Sequence, residues 1–498
     1  MLRGGGNAVD AALAGLAAAC IAEPMLASLG GGGFLLVRPV DGTPVLYDFF
    51  AQTPRQKRPA AETDFGAVLI DFGPATQEFH IGLGAAATPG TVKGLFAAHA
   101  DHGRLPIAEV LAPAIALARD GVALSPMQGY VVNILRPIAT GSAESARLFK
   151  SPGHATDLIA AGERLRWPAL ADMLEALARE GERLFYEGEI AAAIAATCHD
   201  AGGLLTREDL TGYRVVRRPP LGCDFAGARI LTNPPPSAGG ALIALALTLL
   251  EGAAETARTP DDPAAVAVLA RAMGLANEAR VDSGLADDPT AAAMRLGQPD
   301  VVAAYRAAMR APARARRGTT HISVVDRNGN AASLSISNGE GCGLILPDAA
   351  GFMLNNMLGE EDVNPRGFHR WPTDTRLSSM MAPTVVLAAD RSIIALGSGG
   401  SNRLRSAILQ VLVNLLRYRL PIDRAVAQPR LHLEGDFLNV EAGLSAAALD
   451  AAVAEAEDHK VWPERNLFFG GVHAVRAPTE GAASAAGDPR RGGAAIIV

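Results

Sequence analysis

Paired cysteines, a basic charge excess, long apolar runs and abundant aromatics are all missing from this 498-residue chain. The four cysteines, Cys20, Cys198, Cys223 and Cys342, stand far apart, which argues against a zinc knuckle or a disulfide framework and for reduced, structural thiols. Lys+Arg number 45 against 52 Asp+Glu, a formal net charge of -7, so the footprint that phosphate neutralisation requires is lacking and nucleic acid is not an expected partner. The Ala-rich run Ala8 to Ile21 contains Asp10, is closed by Glu23-Pro24, and is too short for the roughly 30 Å of a bilayer core. It reads as a buried helix, and no membrane association is expected. Without a secretion signal the chain as given reads as cytoplasmic. An opening directly on Leu2-Arg3-Gly4-Gly5-Gly6-Asn7 also fits the loss of an upstream segment, and with it a periplasmic or secreted destination. Nothing in the composition points to a metal or an organic cofactor.

What is present is a globular profile, 49% hydrophobic and 19% charged, with 53 Gly and 32 Pro to supply backbone turns. The length suits either several domains or one long layered α/β unit. Asn7 is placed to cap a first helix, and Gly30 to Gly33 lead into an apolar strand, Phe34-Leu35-Leu36-Val37. A second strand is expected over Val45 to Phe50. Helical spacing recurs from Pro106 to about Ala123 and from Trp167 to Ala201. Thr206 is expected to cap a short helix with Asp209 at the capping-box position, and the Pro-rich loop from Asn233 to Gly240 leads into a helix over Leu242 to Leu250. Ala311 to Arg317, with three arginines and little apolar surface, reads as an exposed linker. Thr320 to Val325 and Ala331 to Ser337 then form a hairpin around Asp326-Arg327-Asn328-Gly329-Asn330. Later strands are expected at Gly351 to Leu354, Thr384 to Leu387 and Ile393 to Leu396, followed by a helix from Arg403 to about Tyr418.

A threonine hydroxyl is a weak nucleophile, but at a chain's N-terminus its own α-amino group, with an ordinary pKa of about 8, can take its proton. An internal threonine reaches that state only by cutting its own chain, and Gly318 before Thr319 offers the least hindrance to such an attack. By itself Gly-Thr-Thr says little. Its surroundings say more: Thr319-Thr320-His321 followed by a strand and Asp326-Arg327-Asn328-Gly329-Asn330, Gly5 to Ala11, Gly30 to Phe34, Thr88 to Val92, Leu354-Asn355-Asn356, Leu377-Ser378-Ser379-Met380, Pro383-Thr384, and Gly397 to Arg403. In this order, ending at Asp488-Pro489-Arg490, these motifs resemble the γ-glutamyltranspeptidase family of N-terminal-nucleophile hydrolases over nearly the whole chain.

The resemblance implies a four-layer αββα fold, autocleavage between Gly318 and Thr319, and two self-associating fragments, 1–318 and 319–498, that contribute to one intertwined body; homo-oligomerisation is left open. It implies Thr319 as nucleophile and base, Ser337 as its hydrogen-bond partner, and the backbone N–H groups of Gly400 and Ser401 as the oxyanion hole. Ser401 stands where the family has glycine. Ser378 and Ser379 match residues that hold a substrate carboxylate, while Asn338, Asn356 and Glu360 match the groups around the substrate amine. Two positions depart from the pattern. Phe50, in Asp48-Phe49-Phe50, stands where an arginine clamps the glutamyl α-carboxylate, and Met357 replaces a glutamine. Arg366, Arg370, Arg376 and Arg403 are candidates to replace the clamp, and Glu360, Glu361 and Asp362 form either a cationic contact or a solvated acidic loop. The substrate class implied is a small acyl amide. The rival readings are an acylase for a non-glutamyl acyl group, similar to the cephalosporin acylases, and an unprocessed, inactive binding protein.

Overall fold

Alternation along Phe34-Leu35-Leu36-Val37 decides how the layers stack. Leu35 and Val37 turn to one apolar core and Phe34 and Leu36 to another, so this strand is covered on both faces. In the computed structural model, which describes residues 1–71, 76–154, 157–253, 256–284, 288–308, 320–346, 351–364, 366–434 and 437–498, strand β1 (Gly32–Arg38) is the middle of a five-stranded sheet. Its neighbours are β2 (Val45–Phe49), which continues to β3 (Val216–Arg218), and β7 (Ala331–Ser337), which continues to β6 (Thr320–Val325). A second sheet holds β4 (Leu221–Phe225), β5 (Ala228–Thr232), β8 (Thr384–Leu387), β9 (Ile393–Gly399), β10 (Gly471–Ala477) and β11 (Ser484–Ala486), in the order β11-β10-β9-β8-β5-β4.

Helices close the stack on both sides, giving the αββα arrangement. Helix α1 (Ala8–Ala22) and the helix Thr91–His102 lie on the first sheet, α2 (Ile107–Asp120) packs on α1, α3 (Pro126–Ile134) shares the same core, and α4 (Pro168–Glu180) packs on α2. On the second sheet lie α5 (Gly239–Leu250), with α6 (Pro263–Asp282) packed over it, and α7 (Arg403–Leu416). Asn7 caps α1 through Val9 N and Asp10 N with a reciprocal capping box, and Thr206 and Asp209 make the other expected box. No helix among the described residues is long and apolar enough to cross a membrane.

Several boundaries differ from expectation. The helical stretch after Trp167 is broken at Gly181, whose φ of 77° ends α4 before Glu189–Asp200 resumes. Helix α5 begins at Gly239, three residues earlier than its apolar run suggested, and α7 stops at Leu416. Gly351 to Leu354 is not a strand. Leu354 makes an isolated bridge to Gly30 and Met353 one to Ile345, and the Asn355 side chain takes over by bonding Gly30 O and Ala87 O. The expected linker 311–317 lies outside the described residues. All four thiols are free, and burial pushes Cys20 and Cys342 up to about 12.

Candidate functional site

Gly318 and Thr319 lie outside the described residues, so the site is built from what surrounds them. Thr320 opens β6 and pairs with Ile336, and its hydroxyl donates to Glu23 Oε2 at 2.8 Å. Burial raises the Glu23 carboxyl, opposed by that hydrogen bond and by the charge of Arg491. Ser337, the last residue of β7, is buried, and its Oγ accepts the Gly339 N–H at 3.0 Å, which leaves its own proton to donate. Between the sheets His321 bonds Ser335 Oγ through Nδ1 and Ser323 Oγ through Nε2, each at 2.8 Å. Burial and then His473 hold it well below the usual histidine range, so it is a neutral, positioned ring. Room for it exists because Gly397 lacks a side chain; a Cβ there would lie 2.3 Å from His321 Cε1.

Strand β9 ends at Gly399, and two residues of positive φ, Gly400 at 127° and Ser401 at 53°, turn the chain into α7. A left-handed turn ahead of a helix directs successive main-chain N–H groups to one side, as anion-binding nests do. It also explains why glycine suits position 401, since a side chain in that region costs about 1–2 kcal/mol. Ser401 accepts that conformation in a buried position.

Asn338, Asn356 and Glu360 come together around Gly339, where an added Cβ would meet Asn356 Oδ1 at 2.0 Å and Glu360 Oε1 at 2.1 Å. The Asn356 carboxamide is occupied by backbone: its oxygen accepts Glu340 N at 2.9 Å and Gly341 N at 3.2 Å, and its nitrogen donates to His80 O. Asn338 is fully buried, yet neither its side-chain nitrogen nor its oxygen has a hydrogen-bond partner among the described residues. Such a group is costly unless something else satisfies it. Ser379 anchors a turn: its carbonyl accepts the N–H groups of Ala238 and Gly239 and the Ser237 hydroxyl, and its Oγ accepts Met381 N. Ser378 beside it is partly exposed. Glu361 is exposed, whereas Glu360 is buried, so the acidic run is not uniformly solvated. The side chain of Asp362 lies outside the described residues.

Phe50 is 1% exposed, with its ring stacked on Phe34 at 5.4 Å in the layer between the sheets. It fills space in that layer, in company with Met357 and Met380, rather than standing open to solvent. Of the candidate arginines, Arg366 and Arg370 are exposed. Arg376 is committed to Asp48, donating to both its carbonyl and its Oδ1 at 2.9 Å, and also bonds Arg214 O. Burial works to lower the Arg376 guanidinium, but Tyr213 and Asp48 leave it raised overall. Arg403 lies over Phe468, at 4.6 Å from the ring centroid, and lines a recess with Glu340 and Arg491.

Sequence reasoning passed over Glu23, Asp48, Glu340 and Arg491. Asp48 is fully buried and held by Arg218 and Arg376, so it pins the segment leading to Ser378 and Ser379 onto β2. An acid inside an apolar strand was the available signal. Arg491 follows Asp488, which bonds Arg430, Arg490 and Val472 N, and its Nη2 lies 3.3 Å from where a Cβ on Gly400 would be. No local pattern joins positions 23, 340, 400 and 491; only the tertiary fold does.

The γ-glutamyltranspeptidase family model matches residues 1–498. A glutathione hydrolase proenzyme of Escherichia coli (strain K12) is 31% identical, over 98% of this chain and 87% of its own. The acylase ACY 1 proenzyme of Pseudomonas sp. (strain V22) is 30% identical, over 100% and 90%. In fold, the cephalosporin acylase from Bacillus halodurans superposes with a TM-score of 0.83 at 24% identity, covering 99% of this chain and 92% of that one. The chain therefore belongs to the γ-glutamyltranspeptidase family, enzymes of the N-terminal-nucleophile hydrolase class.

Proposed function

We propose that the protein is an autoprocessed acyl-amide hydrolase or acyltransferase working through Thr319, and that its preferred acyl group lacks the α-carboxylate of a γ-glutamyl group. In processing, the Thr319 hydroxyl attacks the Gly318 carbonyl, the amide becomes an ester, and water hydrolyses it to free the Thr319 amine. In turnover, that amine takes the hydroxyl proton as Oγ attacks the substrate carbonyl. The C–N bond breaks, the amine leaves with the proton, and water or a second amine resolves the ester. Ser337 donates to the nucleophile; its position supports this, because Thr320 pairs with Ile336 and Ser337 is the next residue along β7. The N–H groups of Gly400 and Ser401 receive the oxyanion, which their left-handed turn ahead of α7 favours. Asn338 and Glu360 hold the polar end of the acyl group. Asn356 orients the segment they flank, and Ser378 and Ser379 form the facing turn. The fragments 1–318 and 319–498 stay together as one body.

The observation that carries the acyl preference is the pair formed by Phe50 and Arg376. The first, matched to the family's clamp by motif resemblance, is a buried ring stacked on Phe34, and the second spends its guanidinium on Asp48. The same observation favours the acylase reading over strict γ-glutamyl transfer. The test is a panel of γ-glutamyl, glutaryl, 4-aminobutanoyl and butanoyl anilides, with the acyl-enzyme mass read on the fragment beginning at Thr319. A protein that hydrolyses these amides while remaining one uncut chain would refute the mechanism. An acyl-enzyme seen with γ-glutamyl alone would refute the preference.

A further inference from the structure

A Cβ on Gly339 would meet Asn356 and Glu360, while Glu340, the next residue, lines a recess. With its open mouth this recess contains about 620 Å³ not occupied by protein atoms. Its wall is apolar: Met127, Val131 and Ile134 come from α3, and Leu26 precedes the glycine run. Opposite stand Trp462 and Phe468, stacked at 4.6 Å and 27°. Both rings are fixed. Trp462 Nε1 donates to Asn439 Oδ1 at 3.0 Å, and the Phe468 carbonyl accepts Arg403 Nε at 2.8 Å.

The recess also touches the catalytic turn. Arg403, in its lining, sends its backbone N–H to Gly400 O at 3.2 Å, and Arg491 Nη2, also in its lining, lies 3.3 Å from where a Cβ on Gly400 would be. Leu26 O accepts the Asn338 N–H, so the recess and the Asn338 compartment share one stretch of main chain. An amide attacked beside Gly400 has two halves that must leave the carbonyl carbon in different directions. One compartment, around Asn338 and Glu360, is polar; the other is mainly apolar and aromatic, with Glu340, Arg403 and Arg491 as its charged lining.

From this we propose that the recess of Met127, Val131, Trp462 and Phe468 is the subsite for the amine half of the scissile amide, and that it selects amines carrying an apolar ring. This rests on the acyl-enzyme reading given above. The amine's ring would lie against Trp462, Phe468 and the α3 wall while its nitrogen remains at the carbonyl carbon, and the same recess would receive a ring-bearing amine acceptor in transfer. Burying such a ring is worth roughly a tenfold preference or more over a methylamine.

The test uses the processed full-length protein and matched 4-aminobutanoyl amides of benzylamine and methylamine, which share the acyl group and differ in the amine. Phe468→Ala and Met127→Trp, one opening and one filling the recess, should each cut the benzylamide-to-methylamide ratio of kcat/KM by roughly tenfold. Both variants should leave the hydrolysis rate of the isolated 4-aminobutanoyl-enzyme unchanged, because the amine has departed by then. Melting temperatures show which variants are folded, and the ratio in either one that folds is decisive. An acyl-enzyme that forms normally with an unchanged ratio overturns this inference alone. A changed hydrolysis rate of the 4-aminobutanoyl-enzyme overturns it too, by assigning the recess to the acyl half. Failure to form any acyl-enzyme removes the reading beneath it as well.

Discussion

Phe50→Arg separates what the ring does for the fold from what it denies the substrate. The ring is 1% exposed and stacked at 5.4 Å on Phe34, and deleting a buried aromatic side chain costs about 3–5 kcal/mol. The guanidinium that replaces it cannot remain beside Phe34 and Leu36 without a counter-charge. Asp48, two residues earlier, already carries Arg218 and Arg376. The introduced cation is therefore driven out of the layer toward the acyl compartment of Asn338 and Glu360. A substrate carboxylate met there gains a charge-assisted hydrogen bond of about 1.5–3 kcal/mol, roughly tenfold to a hundredfold in kcat/KM. The assay compares γ-glutamyl-anilide with 4-aminobutanoyl-anilide, the same acyl group without its α-carboxylate. Wild type should show no preference for the first, and Phe50→Arg should raise the ratio by that factor while its melting temperature falls. Phe50→Leu, which keeps the site apolar, should lose less stability and gain no preference. If wild type already strongly prefers γ-glutamyl-anilide and Phe50→Arg adds nothing, another group holds the carboxylate and the reasoning fails.

Expressed wild-type protein should run as two fragments whose masses match 1–318 and 319–498, and Thr319→Ala should run as one; denaturing electrophoresis with mass spectrometry decides. Activity should fall as pH drops through the pKa of the Thr319 amine, near 8 when unperturbed, because only the neutral amine accepts a proton; a flat kcat/KM between about pH 7 and 9, one unit either side of that value, would contradict this. Asp488→Asn leaves the buried Arg430 without its carboxylate and should cost about 3–5 kcal/mol in denaturant titration, part of which Arg430→Met in the same chain should restore. Burial raises the Asp488 carboxyl, but Arg430 and Arg490 outweigh it and hold the group below its ordinary value. Its contribution is then complete above the unfolded pKa of about 3.9 and lost as pH falls through the depressed folded value, so Asp488→Asn should flatten the acid limb of the stability curve.

Local chemistry was legible where one segment carried the whole signal. The capping boxes at Asn7 and Thr206, the hairpin around Asn328-Gly329, and the alternation in β1 all follow from short-range rules. Gly351 to Leu354 was misread because its apolar character reflects burial under Gly30, not a ladder. At the site, motif order pointed to Ser337, Gly400 and Asn338, but not to the commitment of Arg376. An arginine's partner is a matter of tertiary distance, and Asp48 lies far away in sequence. The Asn338 carboxamide, without a hydrogen-bond partner among the described residues, and the Glu340 recess were equally out of reach, since both depend on which way one strand end turns.

The ladder between β1 and β7 runs from Gly32↔Ser337 to Arg38↔Ala331, joining a strand near the start of the chain to one beyond position 319. The second sheet repeats the device, with β5 from the first portion bonded to β8 from the later one. A cut ahead of Thr319 would thus sever connectivity without freeing a piece. Each fragment alone would present raw strand edges and half of two apolar layers, a poor solute and a ready substrate for aggregation. Separation would demand tearing both sheets at once, so the mature form should persist as an interlocked pair whose lifetime is that of global unfolding, and refolding from separated fragments should be far less efficient than folding before the cut.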